Sequence, residues 1–183
     1  MYLECWLRRG RVKRMERIVY RKVGPADKPV LLELHCEINY ACDTSWAREL
    51  PYGEYRAKWM STSQPGQYYD SLIRSMDDPR TMAQLAETED GRTVGYLWVE
   101  YVDVPDYGLT IAEIRDFVIC GDFRGQGRGL GLLAHIEEAA KRNGADLLRS
   151  ETGSDNIASC SLHRKHGFET YRVAFEKRLA DMD

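Results

Sequence analysis

The sequence offers little to a membrane, a metal ion or a disulfide framework. No apolar run approaches the roughly 20 residues that cross a bilayer. Met1–Trp6 is too short an apolar stretch before Arg8, Arg9 and Arg11 to act as a secretory leader. The five cysteines, Cys5, Cys36, Cys42, Cys120 and Cys160, are odd in number and include no CxxC pair. That excludes the common structural zinc spacings and a paired-disulfide fold, so no metal is expected. Reduced thiols in a cytoplasmic protein are the simplest expectation. Net charge is scarce too, −3 over 183 residues, without the basic surplus that phosphate-tracking proteins carry. Neither nucleic acid nor a membrane is therefore expected as a partner. Internal repeats and low-complexity tracts are absent.

What remains is a chain of ordinary single-domain length, 43% hydrophobic and 30% charged. Residues 1–14 are basic and lack a period, which marks them as an N-terminal extension; 15–183 reads as one domain. Ile18, Tyr20 and Lys22 alternate in a short strand that Gly24-Pro25 ends. Val30, Leu31, Leu34 and Ile38 fall at helical spacing within 27–42, and a second helix is expected from Tyr68 to Met76, stopped by Asp78-Pro79. Between them lies a polar stretch rich in aromatics. Strands over 81–87 and 92–104 flank Glu89-Asp90-Gly91, a hairpin turn signal, and another runs over 109–120. A helix over 130–143 closes at Gly144, a strand follows over 145–152, and a helix over 156–166 closes at Gly167. Phe168–Leu179 reads as a last strand or strand pair. The order is β-α-α-β-β-β-α-β-α-β, a mixed α/β sheet flanked by helices.

The most informative segment is Arg124-Gly125-Gln126-Gly127-Arg128-Gly129-Leu130-Gly131, between a strand and a helix. A helix start leaves backbone N–H groups unpaired and carries partial positive charge. Glycines let that backbone approach an anion, and two arginines add charge. These residues predict a phosphate-binding loop. No Gly-Lys-Ser/Thr follows, so the ATP-type loop is excluded. A dinucleotide fingerprint does match at Gly129-Leu130-Gly131-Leu132-Leu133-Ala134, with Glu151 about twenty residues on as the ribose acid. Against it, Gly131 and Ala134 fall inside the apolar helix rather than in the turn.

Arg124-Gly125-Gln126-Gly127-Arg128-Gly129 resembles the Arg/Gln-x-x-Gly-x-Gly/Ala signature of the GNAT superfamily of acetyl-CoA-dependent N-acetyltransferases. Asn156, Ser159, Leu162, Lys165, Gly167 and Phe168 match that family's second element at the appropriate distance. The resemblance implies a splayed central sheet with acetyl-CoA as co-substrate and no metal. Pantetheine would lie in the gap, pairing with the backbone of Phe117, Val118 and Ile119. Residues Arg124, Gly125, Gln126, Gly127, Arg128, Gly129 and Leu130 would hold the pyrophosphate, and Asn156 would face the pantetheine arm. A homodimer is the family's habit.

One position departs from the pattern. Where the family often has a tyrosine that protonates the departing thiolate, this chain has His163. Histidine can do that chemistry or merely pack. For removing the proton of an attacking amine, the candidates are Glu113, near where several family members keep a glutamate, and Asp116. Strict alternation would turn these two to opposite faces. An ion pair of Glu113 with Arg115 is the structural alternative. Trp46, Tyr52, Tyr55, Trp59, Tyr68 and Tyr69, interleaved with Asp43, Glu49 and Asp70, would line a pocket for a cationic amine or serve as core. The expected reaction is direct attack by a primary amine, of a small molecule or a peptide, on acetyl-CoA in a ternary complex. The alternative is a non-catalytic acetyl-CoA sensor or interaction module.

Overall fold

The computed structural model describes residues 16–42, 45–177 and 179. The expected extension, 1–14, lies outside them. Among the described residues one five-stranded sheet runs β1 (Ile18–Lys22), β2 (Met82–Thr88), β3 (Thr93–Val104), β4 (Leu109–Ile119), β5 (Leu147–Ser150), in that spatial order. The first three junctions are antiparallel and β4–β5 is parallel. Helices α1 (Lys28–Cys42), α2 (Tyr52–Met60) and α3 (Gln64–Ser75) connect β1 to β2, α4 (Arg128–Arg142) connects β4 to β5, and α5 (Ile157–Lys165) follows.

Each helix is placed by its apolar stripe. Leu31 and Leu34 of α1, with Tyr68 and Leu72 of α3, are buried against Ala83, Leu85, Tyr96, Trp98 and Val118 on one sheet face. Leu132, Leu133, Ile136 and Ala140 of α4 bury against Val94, Leu97, Val99, Ala112 and Ile114 on the other. Each fully buried leucine contributes roughly 1.5–3 kcal/mol, so the two stripes hold the helices on opposite sides of the sheet. The β2–β3 turn has Gly91 at φ 85°, as its hairpin signal demands.

Two expected elements change. The aromatic stretch between the first two helices contains a helix of its own, α2. Tyr55 and Trp59, four residues apart, put both rings on one face, buried beside Cys36 and Ala47. The last strand is not formed: 168–177 carry no strand pairing, and Tyr171, Val173 and Phe175 are exposed. Their alternation is that of a strand, but a strand also needs a neighbour to satisfy its backbone, and among the described residues β5 pairs only with β4.

A third difference matters more for the site. In β3–β4 pairing, Trp98 faces Asp116 and Val99 faces Ile114, leaving Arg115 as the extra residue of a β-bulge. Glu113 stands opposite Glu100, two residues from Trp98 on β3. Glu113 and Asp116 therefore share the α1–α3 face instead of pointing to opposite faces. The inserted residue shifts the alternation by one.

Candidate functional site

The strands β4 and β5 part company early. Their pairing runs from Ile111↔Leu147 to Ile114↔Ser150 and stops, while β4 continues to Ile119, still paired with β3. Past the bulge, the outer edge of β4 faces a gap. A cavity of about 810 Å³ occupies it. Ile38, Ala41 and Cys42 of α1 line one side, Leu162 and His163 of α5 the other, and Ile114–Ile119 supply part of the wall apart from Asp116.

The glycine loop closes one end of this cavity. A short 3-10 turn at Gly121–Phe123 leads from β4 to Arg124. Gly127 then caps α4 at φ 76°, a left-handed conformation costly for other residues. The helix's first backbone acceptor bond runs from Gly131 N–H to the Gly127 carbonyl, at 3.4 Å. Helix geometry leaves the preceding N–H groups, of Arg128, Gly129 and Leu130, without intrahelical acceptors, and all three residues line the cavity. At Gly129 an added Cβ would stand 2.9 Å from Leu162 Cδ2, so hydrogen at this position lets α5 pack against the start of α4.

The two loop arginines are already engaged. Arg124 Nε donates to the Ile119 carbonyl at 2.8 Å and Nη2 donates to the Glu37 carboxylate, which ties the end of β4 to α1. Arg128 is buried and donates from Nη1 to the Glu16 carbonyl at 2.6 Å, while its buried Nε has no partner among the described residues. Arg115, Arg124, Arg128 and Lys165 line the cavity against two carboxylates, Glu37 and Glu151. The surplus of cationic groups suits a multiply anionic ligand.

His163 sits at the other end, where the strands close. Its Nδ1 lies 2.8 Å from the Ser159 carbonyl, an acceptor only, so Nδ1 carries the hydrogen. In the neutral ring Nε2 then accepts from the Ser150 hydroxyl, 2.8 Å away. The rings of Phe117 and Phe168 meet it edge-on at 6.3 and 5.0 Å. Asn156 also lines the cavity and caps α5, its side-chain oxygen accepting from Ser159 N–H at 3.2 Å.

Of the residues expected to hold a cofactor, Phe117, Val118, Ile119, Arg124, Gly125, Gly127, Arg128, Gly129, Leu130 and Asn156 all line this one cavity. Gln126 does not: its amide turns back to the Asp122 carbonyl at 2.8 Å. His163 lines it; Glu113 and Asp116 do not. Glu113 lies between Arg115 (3.8 Å) and Arg149 (3.9 Å), near the ion pair anticipated for it. Asp116 is buried, with both oxygens 3.0 Å from His35 Nδ1. The sequence points to Glu151 only as a ribose acid and carries no motif that singles out His35 or Ser150.

The aromatics divide. Tyr55, Trp59 and Tyr68 are core, and Tyr69 lies under the Lys28 ammonium at 4.4 Å. Tyr52 lines the cavity, its hydroxyl pushed up to about 12 chiefly by burial, with Cys36 and Glu37 adding to it. Burial, then Glu37, also pushes the Cys120 thiol up. The side chain of Trp46, and Asp43, lie outside the described residues. The dinucleotide fingerprint fails on geometry: Gly129 is already inside α4, and so are Gly131 and Ala134. No helix among the described residues is long and apolar enough to cross a membrane.

Comparison with known proteins agrees with this geometry. The description "Acetyltransferase (GNAT) family" matches residues 45–168. An uncharacterised N-acetyltransferase of Methanocaldococcus jannaschii is 27% identical over 158 residues, 84% of this chain and 61% of that protein. An aminoalkylphosphonate N-acetyltransferase of Salmonella typhimurium is 30% identical over 115 residues, 61% of this chain and 72% of that protein. The crystal structure of YycN from Bacillus subtilis superposes with a TM-score of 0.68 at 20% identity, covering 90% of this chain and all of that one. The chain thus spans under two thirds of the archaeal relative and the whole of the solved fold. The glycine loop, the splayed strands and these matches together identify the chain as a member of the GNAT family of acetyltransferases.

Proposed function

We propose that the protein transfers the acetyl group of acetyl-CoA to a primary amine by direct attack in a ternary complex. The observation that carries this reading is the single cavity joining the anion-ready start of α4 to the unpaired edge of β4. A pyrophosphate at Gly125–Leu130 would leave the pantetheine arm to run along Ile119, Val118 and Phe117. Its peptide groups would take the place of the missing β5 partner. The thioester would then lie toward Arg115 and Phe117, where the gap closes at Ser150.

The chemistry needs a proton removed from the amine and one supplied to sulfur. His163, in contact with Ser150 at the closed end of the gap, would relay the second. For the first, Glu113 and Asp116 are the carboxylates of β4, acting directly or through another group. Backbone N–H groups of the bulged strand would stabilise the oxyanion. The acceptor is a small-molecule or peptide amine. The test is acetyl-CoA-dependent thiol release across a panel of amines. Release that depends on both substrates supports the reading, whereas tight acetyl-CoA binding with no release favours a sensor.

A further inference from the structure

Asp116 is the one buried carboxylate among the described residues, and its position is purchased by the bulge at Arg115. Regular alternation would turn it into the apolar core under α4. The bulge turns it to the α1 face, where both oxygens lie 3.0 Å from His35 Nδ1. A carboxylate only accepts, so Nδ1 carries the hydrogen and the lone pair of the neutral ring is on Nε2. The ring is also fixed face-on: Tyr68 of α3 stacks on it at 3.6 Å and 11°, and Trp59 of α2 lies tilted at 6.0 Å. Tyr68 in turn donates to the Tyr96 hydroxyl of β3 at 3.1 Å. Burial holds both phenols well above their ordinary range, so they stay neutral, and Asp116 is the charge that faces the imidazole.

The place of this pair in the fold gives it a use. Asp116 sits between Arg115 and Phe117, which both line the cavity, and His35 is one helical turn before Ile38, which lines it from α1. Resting on the transferase reading above, we propose that His35, oriented by Asp116, takes the proton of the acceptor amine. The ammonium N–H proton passes to Nε2, and the freed nitrogen forms the C–N bond to the thioester carbon. As the C–S bond breaks, sulfur leaves with its electron pair. The second nitrogen proton ends on that sulfur, directly or through Ser150 and His163, and His35 returns its proton to water. Base and acid then stand on opposite sides of the gap, on α1 and α5.

The experiment compares wild type, His35→Ala and Asp116→Asn. It measures thiol release from acetyl-CoA with ethanolamine, spermidine and a free-amino hexapeptide as probe acceptors, and acetyl-CoA affinity by calorimetry. His35→Ala is expected to lower turnover about 100-fold, keep the acetyl-CoA Kd within about twofold, and recover activity with added imidazole. Asp116→Asn is expected to fall in the same direction. His35→Ala turnover near wild type with the Kd preserved, or a loss that imidazole does not rescue, overturns the role of His35 alone. No thiol release by the wild-type protein with any probe overturns the transferase reading itself.

Discussion

Ile114 of β4 and Ser150 of β5 are the last pair the two strands share, and the serine hydroxyl lies 2.8 Å from His163 Nε2. The splay of the sheet and the candidate proton donor therefore meet at one point. Replacing His163→Phe keeps an aromatic ring between Phe117 and Phe168 but removes both nitrogen contacts. Turnover is expected to fall roughly 100-fold with acetyl-CoA affinity nearly unchanged. An unaltered pH–rate profile would remove His163 from the chemistry.

Arg124→Gln removes the charge that ties Ile119 and Glu37 together at the glycine-loop end of the cavity. Charge-assisted bonds of this kind contribute roughly 1.5–3 kcal/mol, so acetyl-CoA affinity is expected to weaken by 10-fold or more. Calorimetry at two salt concentrations checks it, and the variant's affinity should depend less on salt than the wild type's.

Gly129→Val places branched carbon where even a Cβ would meet Leu162 Cδ2 at 2.9 Å. Leu162 can yield a little to alanine but not to valine. The valine variant is expected to lose about 1–3 kcal/mol of stability in urea unfolding and to bind acetyl-CoA poorly. Wild-type stability and affinity would mean that α5 does not press on the start of α4.

Acid stability has a separate source at the far edge of the sheet. Arg21 of β1 donates to both Asp27 oxygens at 2.8 Å, and Gly24 N–H adds a third bond at 2.8 Å. The Arg21 guanidinium holds the Asp27 carboxyl below its ordinary range, against the opposing effect of burial. A folded-state value lower than the unfolded one stabilises fully above about pH 4 and is lost as pH falls through the folded value. Asp27→Asn is expected to cost about 1–2 kcal/mol at pH 7 and to flatten the loss of stability below pH 4. Chemical denaturation at pH 7, 4 and 3 measures both.

Much of this was legible in the sequence because local signals and tertiary roles coincide. The strand–glycine–helix order of 109–143 needs only periodicity and turn chemistry, and ten of the eleven expected cofactor residues line one cavity. Gln126 turns its amide to the Asp122 carbonyl, because a motif fixes the backbone path, not where an exposed amide finds its acceptor. The helix α2 was missed because two buried aromatics in a polar run resemble scattered surface rings. The alternation at 171–175 was over-read: it reports amphipathic spacing, and pairing depends on a partner strand. The bulge at Arg115 has no local signature at all, since no glycine or turn residue marks it. That one inserted residue puts Glu113 and Asp116 on one face of the sheet instead of two, and the contact of Asp116 with His35, 81 residues away, has no local signal either.

The most direct measurement is calorimetric titration of the purified protein with acetyl-CoA, with NADH as the control ligand. Saturable binding of acetyl-CoA, weakened in Arg124→Gln and absent for NADH, is the expected result. Binding of NADH with none of acetyl-CoA would contradict the assignment of the cavity between β4 and β5 and return Gly129–Ala134 to consideration as a dinucleotide site.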